Sequence, residues 1–153
     1  MSLEIERKYL VIGDQWKQEM PVRICQGYLN RDKERTVRVR ISGEKAFLTI
    51  KGMNIGATRT EYEYEIPLSH AEELLKICDG PVLEKNRYIV CCHDVIWEVD
   101  EFLGENEGLI VAEVELKSED QSFDRPDWVG QEVTNDPRYF NSNLCSHPFC
   151  KWR

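Results

Sequence analysis

A chain of 153 residues with 41% hydrophobic content, 9 Gly and 6 Pro has the makings of one packed domain. Its net charge of −8 opposes a nucleic-acid backbone, and no apolar run reaches bilayer length or follows a basic N-terminal region as a leader would. The expectation is a single domain over 1–153, cytoplasmic, with neither nucleic acid nor membrane as partner.

In chain order, period-2 alternation between turn residues predicts strands over 3–11, 23–29, 35–42, 46–52, 59–66, 82–91, 95–102 and 109–117. A short helix is expected through "GDQWKQEM". The clearest helix is "SHAEELLKICDG", with Ser69 as cap, Glu72 completing a capping box, Leu74, Leu75 and Cys78 on one face, and Gly80 as the stop. Another is expected around Pro137 to Leu144, after the turn-rich "SEDQSFDRPDW". Eight short strands in a small domain favour a barrel or sandwich, because an open sheet of that size leaves edges to protect.

Cys25, Cys78, Cys91, Cys92, Cys145 and Cys150 read as reduced thiols, since nothing in the chain points to secretion. The tail "CSHPFC" gathers Cys145, His147 and Cys150, but three ligands without a CxxC pair make a poor zinc site. An exposed or loosely packed tail is expected there.

The strands share one unusual property. In "EIERKY", Glu4, Glu6 and Lys8 fall on one face; in "TVRVRI", Arg38 and Arg40 do; in "RTEYEYEI", Arg59, Glu61, Glu63 and Glu65 do. "EKNRYIV" pairs Lys85 with Arg87, "WEVDEF" pairs Glu98 with Asp100, "VAEVELK" aligns Glu113, Glu115 and Lys117, and Lys51 closes "LTIK". A solvated face mixes Ser, Thr, Gln and charges, whereas these positions hold almost nothing but ionised groups, sorted into acidic and basic strands. Closed into a barrel with these faces inward, the strands would line a wet, polar tunnel. Carboxylates suit a hard divalent cation, and Arg and Lys suit phosphate oxygens. That combination is what phosphoryl transfer needs. There is no GxxxxGK[ST], GxGxxG or GxSxG motif, and His70, His93 and His147 are scattered.

The ExExK of Glu4, Glu6 and Lys8, followed in order by "QGYL", "VRVR", "LTIK", "RTEYEYEI", "LEKNRY", "WEVDEF", "AEVEL" and "GQEVTNDPRYFNSNL", resembles the small bacterial members of the CYTH superfamily, the triphosphate tunnel metalloenzymes. The likeness spans nearly the whole chain. It implies a mainly β (α+β) fold: an eight-stranded antiparallel β-barrel forming a charged tunnel, with a few peripheral helices. It also implies Mg²⁺- or Mn²⁺-dependent chemistry on a triphosphate small molecule.

Carried over by motif, Glu4, Glu6 and Glu115 would hold metal, and Glu113 would hold or activate the attacking water. Lys8, Arg38, Arg40, Lys51, Lys85 and Arg87 would bind phosphates, with Lys8 and Lys85 also serving catalysis. Glu61 and Glu63 would orient these cations by ion pairing or, alternatively, hold metal directly; Asp100 is divided between a second metal and support, and Arg59 and Arg138 are candidates for the tunnel mouth. Glu65 and Lys117 are expected in solvent, Tyr62, Tyr64 and Trp97 on the exterior, and Tyr28 either hydrogen-bonding in the tunnel or filling space.

No segment offers a nucleobase or thiazolium pocket, which favours hydrolysis of inorganic tripolyphosphate. An adenylate cyclase or a thiamine or nucleoside triphosphatase on the same barrel is the alternative, and a non-catalytic polyphosphate-binding module lies further off. An outer sheet face left bare by the helices would offer a homodimer surface.

Overall fold

The computed structural model describes residues 3–17 and 20–152. Alternation has produced strands where it predicted them: β1 (Leu3–Val11), β2 (Val22–Asn30), β3 (Arg35–Ser42), β4 (Lys45–Gly52), β5 (Thr58–Ile66), β6 (Leu83–Cys92), β7 (Val95–Phe102) and β8 (Ile110–Glu115). Antiparallel pairing runs β5-β4-β3-β2-β6-β7-β8-β1, and β1 pairs with β5 through Leu3–Thr60, Glu4–Arg59 and Ile5–Thr58 to close the barrel.

A ninth strand, β9 (Val129–Glu132), was not expected. It takes the edge of β1 that β5 leaves free beyond Ile5, pairing Tyr9 with Glu132 and Val11 with Val129. Its sequence, VGQE, carries a single apolar side chain and so shows no alternation.

Helix α1 (Leu68–Lys76) starts one residue before the expected Ser69 cap, directly after Pro67, and has no side-chain cap. Ser69 therefore lies inside the first turn, and the capping box with Glu72 does not form. The helix ends before Ile77; Gly80, with φ of +90°, serves the turn beyond. Ala71, Leu74 and Leu75 cover Val39, Ala46 and Ile66 on the outside of β3 to β5. The end of this layer approaches "QGYL" so closely that a Cβ on Gly27 would sit 2.7 Å from Cys78 Sγ.

No helix forms over Gly13–Lys17, which is bent and turned, or at Met20; Gln18 and Glu19 of that expected helix lie outside the described residues. The expected C-terminal helix is present as a short 3₁₀ turn at Pro137–Tyr139 followed by α2 (Asn141–Ser146).

The apolar packing is outside the tunnel and at one end of it. Outside, Tyr9, Tyr88, Trp97, Val99 and Val114 pack under Trp16, Phe123 and Trp128, with Trp97 meeting Trp128 edge-on at 5.7 Å. Trp97 is thus an exterior packing residue as expected, and Tyr62 and Tyr64 face out and remain exposed.

At the closed end, Leu10, Leu83, Phe102 and Val111 share the inward face of their strands with the charged residues. Tyr139, Leu144 and Cys145 cover them, Trp152 stacks edge-on against Tyr139 and Phe149, and the Phe149 N–H donates to Asn106 Oδ1 at 2.8 Å. The loose tail expected from "CSHPFC" is instead packed, because an apolar barrel end needs a lid. Among the described residues no His, Cys, Asp or Glu cluster gathers around it to hold a metal.

Candidate active site

The inward positions line a cavity of about 260 Å³. Among the described residues, seven cations reach it, Lys8, Arg38, Arg40, Lys51, Arg59, Lys85 and Arg87, and seven carboxylates, Glu4, Glu6, Glu61, Glu63, Glu98, Glu113 and Glu115. The strand alternation therefore brings together nearly every residue singled out in the sequence. Two stand apart: Asp100 lies behind the lining, 1% exposed, and Arg138 is on the surface, held by Asp136 at 2.7 Å. Tyr28 both lines the cavity and packs into the apolar end.

Register explains the sorting. Glu6 faces Glu115, Lys8 faces Glu113 and Glu98 faces Glu113 across neighbouring strands, so β1, β7 and β8 make an acidic wall. On the opposite side, Tyr28 faces Arg38 and Gln26 faces Arg40.

At the deep end, Asp100 Oδ2 accepts from Lys85 Nζ at 2.7 Å, while Arg87 donates Nε to Oδ1 at 2.7 Å and Nη2 to Oδ2 at 2.9 Å. Both carboxylate oxygens are thereby committed to cations. Of its two sequence-derived roles, this arrangement matches support rather than metal ligation. Burial would raise the Asp100 pKa, but Arg87 and Lys85 outweigh it and hold it low. Lys85 is pulled down to about 7, by burial first, against the attraction of Asp100, with Arg87 and Arg40 adding to the fall.

Nearer the mouth, Lys51 Nζ donates to both oxygens of Glu4 at 2.8 and 3.0 Å and lies 3.6 Å from Glu61. Thr49 donates to Glu63 at 2.8 Å and accepts from Arg38 Nη2 at 3.2 Å. Arg59 is turned to the backbone, donating to the Gly52 carbonyl at 3.0 Å.

Glu113 lies 3.5 Å from Lys8 and 3.6 Å from Arg87. Burial would raise its pKa, yet Lys8, Arg87 and Lys85 hold it well below the usual carboxylate range. Glu6 is the opposite case: burial, then Glu113 and Glu4, push it well above. A crowded carboxyl of this kind is where a cation would be welcome. No three carboxylates among the described residues converge as they stand on one metal-holding point. The donor set suits an ion that takes one or two carboxylates and completes its shell with phosphate and water.

Sequence reasoning missed Gln26, Thr36, Thr49, Thr134, Phe140, Asn141 and Ser142, all of which border the cavity or bond to its wall, and it placed Glu98 inward without giving it a role. Gln26, Thr36 and Thr49 share the inward alternation of their strands, which is the signal that could have found them. Thr134 to Ser142 come from the C-terminal segment, whose approach to the barrel leaves no periodic mark.

A closed antiparallel barrel with a polar bore, cations on one wall and carboxylates on the other is a polyanion-processing tunnel. The chain belongs to the CYTH domain family, whose model matches residues 2–143. It is 52% identical over 151 residues to an inorganic triphosphatase of Acetivibrio thermocellus, covering 97% of both chains. An inorganic triphosphatase of Nitrosomonas europaea is 40% identical over 145 residues, covering 92% of this chain and 95% of the relative. A crystal structure of an inorganic triphosphatase superposes with a TM-score of 0.67 at 37% identity, covering 92% of this chain and 96% of the other. Triphosphatases of this family are in general metal-dependent.

Proposed function

We propose that this tunnel hydrolyses inorganic tripolyphosphate to pyrophosphate and phosphate with Mg²⁺ or Mn²⁺. One observation carries the reading beyond the relatives' shared activity: β3 aims two guanidinium groups, Arg38 and Arg40, into the cavity with part of their hydrogen-bonding capacity unused by the protein. Arg38 Nε is buried without a hydrogen-bond partner, and Arg40 is brought down to about 9 by burial and by the neighbouring Arg38 and Arg87. Buried guanidinium groups in that state favour a polyanion.

Glu4, Glu6 and Glu115 would hold the metal, which when bound supplies charge neutralisation at the phosphate oxygens. Lys8, Arg38, Arg40, Lys85 and Arg87 would grip the phosphates, and Lys51 would join them as it leaves Glu4. Glu113, held strongly anionic, would orient a water by accepting its hydrogen bond rather than act as a strong base. Asp100, Glu61 and Glu63 would aim the cations, and Arg59 would meet substrate at the mouth. The lining offers Tyr28 and Phe140 as its aromatic groups, and both are tied into packing or into contact with Lys8, which argues against a nucleobase platform.

The test is phosphate release from tripolyphosphate with Mg²⁺, Mn²⁺ or EDTA, beside ATP. Metal-dependent release favouring tripolyphosphate is expected. Silence on tripolyphosphate with product from ATP would move the protein to the nucleotide branch.

A further inference from the structure

Two neutral amides sit among the ions at the deep end of the cavity, and their orientation is forced. Arg40 Nε can only donate, so the Gln26 oxygen it meets at 2.8 Å must be Oε1. The Gln26 amide nitrogen then donates to Asn141 Oδ1 at 3.1 Å. Lys85 Nζ donates to the same Oδ1 at 2.7 Å. Gln26 is fully buried, so this chain from Arg40 through both amides to Lys85 is fixed in place.

With Oδ1 accepting twice, the two N–H groups of Asn141 Nδ2 are left over, and no hydrogen bond within the described residues uses them. Asn141 lines the cavity beside Lys85 and Ser142. A carboxylate here could hold Lys85 equally well, but it would cancel that charge and present an anion to an anionic ligand. An amide holds the lysine and still offers donors.

Resting on the tripolyphosphate reading above, we propose that Asn141 is a substrate-binding residue: its Nδ2 donates to an oxygen of the deepest phosphate, while the Gln26–Asn141 bridge sets the spacing of Lys85 and Arg40 around that phosphate. Asn141 belongs to α2, so the segment that lids the barrel also supplies part of the phosphate site.

The isosteric Asn141→Asp keeps shape and the bond from Lys85 but replaces two donors with negative charge. It should lower kcat/KM for tripolyphosphate by more than about 100-fold, the scale of a like-charge contact, with Tm maintained. Asn141→Ala should raise KM about 10- to 100-fold and change kcat little, the scale of lost hydrogen bonds to a charged group. Gln26→Ala should weaken binding too, and the double variant should fall short of the product of the single effects because both belong to one bridge. Calorimetric titration of tripolyphosphate in EDTA reads the same losses without turnover. Unchanged KM and unchanged metal-free binding in both Asn141 variants, with an active wild type, would overturn the inference and leave the tripolyphosphate reading standing. A wild type inert on tripolyphosphate with every metal would overturn both.

Discussion

The β6–β7 wall and the β3–β5 wall of the tunnel arise from the same alternation of charged and apolar residues, yet they are built differently. On β6 and β7, Lys85 and Arg87 clamp Asp100 in a network with side chains 1%, 12% and 2% exposed and contacts of 2.7 Å. Across β4, Glu63 of β5 meets Arg38 of β3 at 3.6 Å with the carboxylate side chain 42% exposed. Alternation decides which face a charge occupies; depth along the barrel decides whether that charge is a fixed structural element or a solvated, adjustable one. Ion pairs of the first kind are costly to break singly, and those of the second are worth little.

The sharpest separation of chemistry from stability should come from the acidic wall itself. Glu6→Ala is expected to abolish turnover of tripolyphosphate while leaving Tm unchanged or higher, since it removes a carboxyl crowded by Glu113 and Glu4. Normal activity in that variant would remove the metal-holding role. Next in size, Asp100→Ala strands two buried cations and should cost about 3–5 kcal/mol, a fall in Tm on the order of 10 °C. A denaturation midpoint close to wild type would erase the contrast between the walls. Glu63→Ala, on the open side, should cost about 1 kcal/mol or less in the same experiment. A loss matching that of Asp100→Ala would again contradict it.

A smaller effect tests the edge where β9 meets β1. Burial would raise the Glu132 pKa, but hydrogen bonds from Thr134 and Arg7 outweigh it and leave it below its ordinary 4.5. A carboxyl depressed on folding contributes stability that is present above pH 4.5 and is lost as pH falls through its folded value. Glu132→Gln should therefore be slightly less stable than wild type at neutral pH, with the gap closing in acid. A gap that widens below pH 4.5 would contradict the assignment.

The barrel was largely legible because most strands put apolar side chains outward and ions inward, and a period of two survives in a linear string. Even the closed end is written there: Leu83 precedes Lys85 and Arg87, Phe102 follows Glu98 and Asp100, and Val111 precedes Glu113 and Glu115, so each inward row passes from apolar to charged. The sequence reading did not use that switch, and it expected a loose tail where Leu144, Phe149 and Trp152 form the cover.

By itself the sequence determined eight of the strands, the inward charges and which strands are acidic and which basic, because these depend on spacing between near neighbours. Only the tertiary structure decided which charge meets which. Asp100 took Lys85 and Arg87 for both its oxygens; Glu4 took Lys51, 47 positions away; Gln26 met Asn141, 115 positions away. Such pairings depend on barrel register and on the packing of the C-terminal segment, and periodicity carries no record of contacts between residues so far apart.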